Sequence, residues 1–207
     1  MRNVELTKQR LIKAAGEILA TQGFTKFGIN AVARQAGVNK ALIYRYFDDM
    51  DGLVTAYASA SDFWPPIEEL LEGSQDCSLN MEQQIRQILL NYWYALERRP
   101  QTLAVMAWEL VEHNKLTAIL EVHREKSSAL LGQHLYQQIA QVNSDPQDNI
   151  KQKLPGIMAM TSASVNYLLL RKRDIRWFAG IDMHSEKAIK IMLTETAQMI
   201  FYSLNSG

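Results

Sequence analysis

A chain of 207 residues, 47% of them hydrophobic, carries enough apolar mass for a packed core, which excludes a disordered resting state. Its single cysteine, Cys77, excludes an internal disulfide and a thiolate-built zinc site, and fits a reducing cytoplasm. The formal net charge is zero but unevenly spread: residues 1–50 balance at +4 and the remainder at −4, a basic head on an acidic body, as expected of a phosphate-binding module joined to a different one.

The opening MRNVELTKQR has no apolar stretch behind its charge, and no run of about 18 apolar residues follows anywhere, so neither a secretion signal nor a membrane span is expected. Helical spacing then dominates. Residues 5–21 place Leu11, Ala15, Ile18 and Leu19 on one face, and Gly23 stands where a left-handed cap closes a helix. A second short helix over 29–36 aligns Ile29, Val32, Ala33 and Ala36. Gly37 breaks it, and a third helix spans 39–46 with Asn39 as its cap. Two short helices around an Ala-Gly-Val turn read as a helix-turn-helix.

Further along, a helix from about 49 is expected to reach the Trp64–Pro65–Pro66 step and resume to about 72, before a polar loop over 73–79. Residues 80–98 align Met81, Ile85, Ile88, Leu89, Tyr92 and Leu96. After Pro100 comes a helix with Leu103, Met106 and Leu110 in phase, extending to His113. A long helix over 115–142 carries Leu116, Leu120, His123, Leu131, Leu135 and Ile139. Pro146 punctuates the chain, and Pro155 opens a helix to about Arg173. The last helix spans about 184–204, with Ile189, Met192, Leu193, Met199 and Ile200 on its apolar side. The fold class is therefore all-α: an N-terminal three-helix bundle with a helix-turn-helix, and a helical C-terminal ligand-binding and dimerisation domain. The division is placed at 1–50 and 51–207.

Residues 23–54, GFTKFGINAVARQAGVNKALIYRYFDDMDGLV, resemble the DNA-binding signature of the TetR (tetracycline-repressor) family of transcriptional regulators. The matching positions are Gly23, Phe24, Val32, Ala33, Ala36, Gly37, Val38, Asn39, Ile43, Tyr44, Phe47 and Leu53. The resemblance implies that the 39–46 helix enters the major groove. Lys40, Ala41 and Arg45 would then meet base edges or phosphates, while Tyr44 and Tyr46 donate to phosphate. Lys26, Gly28 and Asn39 flank the same surface. Two positions depart from the pattern: Gly28 replaces a capping Ser or Thr, and Met50, among Asp48, Asp49 and Asp51, replaces a lysine that reaches a backbone phosphate.

The resemblance also implies a homodimer on two-fold double-stranded operator DNA, built from the last two helices. There Ile157, Thr161, Val165 and Leu168 are interleaved with small Ala159, Ser162, Ala163 and Ser164. A small hydrophobic or aromatic effector is expected among Tyr92, Trp93, Met106, Glu109, His113 and His123, releasing a repressor from its operator. No cofactor, metal or membrane partner is expected. His123 and His134 lie roughly 16 Å apart along one helix, too far to share an ion. No nucleophile elbow or Gly-rich phosphate loop occurs, so the protein reads as no enzyme. Two other readings stay open from the residues alone: a regulator without a small ligand or answering to a protein partner, and a helical enzyme or adaptor with a helix-turn-helix-like end.

Overall fold

The computed structural model describes residues 2–60, 63–142 and 147–205; the expectation attached to Pro146 lies outside them. Helices account for nearly all regular structure, and two compact units divide the chain: Met1–Trp64 with Arg99–Lys126, and Pro65–Arg98 with Ser127–Gly207. The first unit is discontinuous in sequence, because the helix after Pro100 packs with the N-terminal helices. No helix among the described residues is long and apolar enough to cross a membrane.

The first unit starts with α1 (Arg2–Gln22), whose stripe of Leu11, Ala14, Ala15 and Ile18 is almost wholly removed from solvent. It packs on α2 (Ile29–Ala36) and α4 (Met50–Ala58), with α3 (Ala41–Phe47) against α4. Val32, Ile43, Phe47 and Leu53 join the α1 stripe in one core. Burying such a Leu, Ile or Phe contributes about 1.5–3 kcal/mol. Leu19 and Phe24, from the other side of α1 and the turn after it, share a second core with Val54, Tyr57, Phe63, Val105 and Leu120. Val105 lies on α7 (Pro100–Glu109) and Leu120 on the early part of α8 (Lys115–Val142).

α4 is shorter than the sequence promised. It ends at Ala58, where the Ser59 hydroxyl donates to the Thr55 carbonyl and the Ala60 N–H turns back to Tyr57. Phe63 and Trp64 follow as turn residues, held by the buried Thr102 hydroxyl, which donates to the Phe63 carbonyl.

In the second unit, α5 (Ile67–Leu71) and α10 (Glu186–Asn205) pack on α6 (Met81–Glu97). Asn80 and Gln83 form a reciprocal capping box that starts α6. Cys77 is exposed in the polar loop before it. α9 (Gln147–Lys172) begins eight residues ahead of Pro155, which sits inside it. Ile150 and Leu154 are buried in a core with Ile85, Leu89, Ile139 and Ala197. That burial offsets the hydrogen bond the proline ring removes. Between α9 and α10 lies a hairpin absent from the sequence reading, β1 (Trp177–Phe178) paired antiparallel with β2 (Ile181–Asp182). Its two central residues, Ala179 and Gly180, both have positive φ, as a tight hairpin turn demands.

Candidate nucleic-acid interface

α2 ends at Gly37, left-handed at φ 63° and ψ 41°, whose N–H and that of Val38 return to the Arg34 and Ala33 carbonyls. A side chain is strained in that conformation. Arg10 reaches from α1 to donate to the Ala36 carbonyl, fixing the turn to the first helix. Asn39 then caps: its Oδ1 accepts from the Ala41 N–H at 2.9 Å, with the helix boundary one residue later, at Lys40.

On α3, Ile43 and Phe47 are buried one turn apart, which forces Ala41, Tyr44 and Arg45 outward. Lys40, Ala41, Tyr44 and Arg45 are all exposed, Tyr44 at 52%. Tyr46 is half-buried against the head core, with the Arg45 guanidinium 6.0 Å from its ring centre. Lys26 is exposed at the end of a 3-10 turn, Phe24–Lys26. Gly28 starts α2 in extended backbone with no side-chain cap, and nothing stands within 4 Å of where a Cβ would be. Glycine there supplies no required space; it only omits a capping hydroxyl.

α3 joins α4 through a tight corner. Asp48 takes φ 66°, and Asp49 caps α4 by accepting from the Gly52 N–H at 2.8 Å. A Cβ on Gly52 would lie 1.9 Å from the Phe47 carbonyl oxygen, so only glycine permits this approach. Met50 packs on the head core. Asp51 forms an ion pair with Lys115, the first residue of α8. No local pattern could have signalled that pair, because its partners are remote in sequence.

The residues expected around an effector fall in both compact units. In the first, Met106 is buried and Glu109 pairs with Arg124 at 2.7 Å, their side chains 9% and 19% exposed. Burial pushes the Glu109 carboxyl above the usual range, while Arg124 pulls it back. Burial also raises the Tyr57 phenol, and the Glu109 charge adds to it. His123 Nε2 stands 3.4 Å from the Ser59 hydroxyl; burial, then Lys126, lowers its pKa.

His113 departs from expectation. α7 stops at Glu109, and His113 is exposed in the turn beyond it, out of phase with Met106. The helix stops there because Asn114 begins the next one: its Oδ1 accepts from the Leu116 and Thr117 amides. In the second unit, the Tyr92 hydroxyl donates to Asn166 Oδ1 at 2.8 Å. Trp93 is fully buried, with the Lys172 ammonium 5.9 Å from its ring centre.

Also in the second unit, α9 and α10 flank an open groove of about 410 Å³ lined by Met160, Ser164, Leu168, Met192 and Met199 among others.

Residues 11–57 match the sequence profile of the bacterial regulatory proteins of the TetR family. An uncharacterised HTH-type transcriptional regulator of Mycobacterium tuberculosis is 26% identical over 109 residues, 48% of this chain and 54% of that protein. The chain thus matches about half the length of that curated relative. The fold is similar to that of the fatty acid degradation regulator FadR of Bacillus halodurans, at a TM-score of 0.69 and 15% identity, over 97% of this chain and 95% of that one. It is equally similar to NalD of Pseudomonas aeruginosa, the secondary repressor of the MexAB-OprM multidrug efflux pump, at 0.69 and 18% identity, over 94% and 96%. Residues 11–57 thus carry the TetR-family sequence profile on a helix-turn-helix, and the fold over nearly the whole chain is similar to that of solved bacterial regulators.

Proposed function

We propose that this protein is a cytoplasmic homodimeric repressor that binds double-stranded operator DNA through residues 1–50 and is released by a small hydrophobic or aromatic effector bound within 51–207. The observation that carries the DNA-binding part is α3, with its buried Ile43 and Phe47 and its exposed Lys40, Ala41, Tyr44 and Arg45. Lys40 and Arg45 are suited to guanine edges or phosphates, and Ala41 to a thymine methyl. Tyr44, Tyr46, Lys26, Asn39 and the Gly28 turn fix register on the backbone. The protein acts by binding alone and needs no cofactor.

The dimer reading is supported by the groove between α9 and α10. Met160 and Met199 beside it are each 72% exposed in the single chain, an unusual place for thioethers unless a second chain covers them. The effector reading takes support within each unit by itself: from Met106, Glu109 and His123 in the first, and from Tyr92 and Trp93 in the second, all at buried or half-buried positions; the exposed His113 adds nothing to it. A coupling of about 1–3 kcal/mol between effector and DNA is enough for release.

Gel shifts against genomic fragments test the central claim. Replacing both Lys40 and Arg45 by alanine is expected to weaken specific binding at least about a hundredfold, since each base contact contributes about 1–3 kcal/mol, with helicity and dimerisation unchanged. Full affinity in the double variant would remove α3 from the interface.

A further inference from the structure

The corner after α3 carries Asp48, Asp49 and Asp51. In a head that docks on DNA, that is a costly place for negative charge. α3 has seven residues, a length of about 10 Å, against a major groove about 12 Å wide. A helix this short, lying in the groove, brings the corner at its C-terminal end up against a phosphate strand.

Two of the three carboxylates are already engaged. Asp49 accepts from the Gly52 amide, and Asp51 holds Lys115. Lys115 arrives from the start of α8, within the same compact unit as the head. Its side chain is 78% exposed, while that of Asp51 is 30% exposed, so the ammonium stands outermost of the pair. The bond from Asp51 raises its pKa above the ordinary lysine value, and the charge of Asp49 adds to this, so it stays cationic throughout the physiological range.

We infer that Lys115 is a DNA-backbone contact, supplying from α8 the positive charge that the α3–α4 corner lacks. This rests on the reading of the head as the DNA-binding unit. An ammonium has three donors. One stays with Asp51 while another turns to a phosphate oxygen, so the carboxylate acts as a holder that keeps a flexible side chain aimed at the strand. The contact is blind to sequence and adds equally to operator and non-operator affinity.

The test compares Asp51→Asn with Asp51→Asn/Lys115→Ala, so that removing the lysine does not also unmask the aspartate. Binding to a mixed-sequence duplex is measured across a salt series, with circular dichroism on each variant. The expected result is a loss of affinity in the double variant and a slope of log affinity against log salt shallower by about 0.9 per protomer. Lys115→Arg is expected to retain the parent slope. If parent and Asp51→Asn both bind and the double variant superimposes on the latter, Lys115 touches no phosphate and the inference is overturned. If the parent itself binds no duplex, the head is not a DNA-binding unit, and the inference falls with that reading.

Discussion

The N-terminal head and the α9–α10 pair dispose of their large apolar residues in opposite ways. In the head, Leu11, Val32, Ile43 and Leu53 are at 0% exposure, and the outward positions of α3 are mainly polar or small. On α9 and α10, Met160, Tyr167, Met199 and Tyr202 are all more than half exposed. The core around the helix-turn-helix closes on residues of α1 to α4 alone, and α3 offers hydrogen-bonding groups on its outer side. The helix pair leaves apolar surface uncovered, and apolar surface in water is a free-energy deficit that covering it would remove. One region thus presents polar and charged groups to water, and the other presents thioethers and rings.

The most disruptive way to break this contrast is Met199→Glu. In the single chain this position is open to water, so the fold is expected to tolerate the charge. In a dimer, two unpaired carboxylates would be buried at about several kcal/mol each. Sedimentation is expected to show the dimer dissociating at concentrations at least about a thousandfold higher than the parent, with helicity unchanged. A variant that sediments as the parent does would leave the exposed methionines unexplained by self-association.

Gly52→Ala inverts the phenotype. Its new methyl meets the Phe47 carbonyl, a backbone atom that cannot yield without moving α3 or α4. A loss of about 3 kcal/mol is expected, a fall in Tm of roughly 6–12 °C for a chain of this size, while the dimer persists. Unaltered melting would show that the corner is looser than its geometry implies.

The smallest effect concerns the interior of the first unit. Burial raises the Glu109 carboxyl above its ordinary value of 4.5, and Arg124 only partly opposes this. The native state therefore binds the proton more tightly than the unfolded chain does. Its contribution to stability is complete below pH 4.5 and is lost as pH rises through the higher native value. Denaturant titrations of the parent and Glu109→Gln, taken in parallel over that window, are expected to show the parent losing ground as pH rises. A constant gap between them would mean that this carboxylate is as well hydrated as a surface one.

Much of the fold was legible because long helices announce themselves by period. α6, α8 and α10 begin and end within about two residues of the expected positions, where Asn80, Asn114 and the neighbouring polar loops supply the ends. Short-range competition defeated the reading elsewhere. The phase of Leu103, Met106 and Leu110 extends to His113, but Asn114 captures the amides of the next helix and the chain turns first. Pro155 looked like a helix start, yet the burial of Ile150 and Leu154 carries α9 through it. The Trp177–Asp182 hairpin was missed because two-residue strands leave too little alternation to see. In the candidate interface, the outward placement of Lys40, Ala41, Tyr44 and Arg45 was implied by the resemblance, and the burial of Ile43 and Phe47 accounts for it, whereas Tyr46 is half-buried. Nothing implied Lys115, since an ion pair between remote segments leaves no trace in either one.

The discontinuity of the first compact unit also has a consequence on the ribosome. The core around Leu11, Val32, Ile43 and Leu53 is complete in sequence once α4 has emerged. The second core, around Leu19, Phe24, Val54 and Tyr57, must wait for Val105 and Leu120. At ordinary elongation rates that interval lasts roughly 3–12 s, far longer than a helix or small bundle takes to form. A nascent head therefore waits, folded on one side and sticky on the other, while the chain that will cover it is still being made. That interval is when a chaperone has most to hold, and slowing translation between α4 and α8 lengthens it.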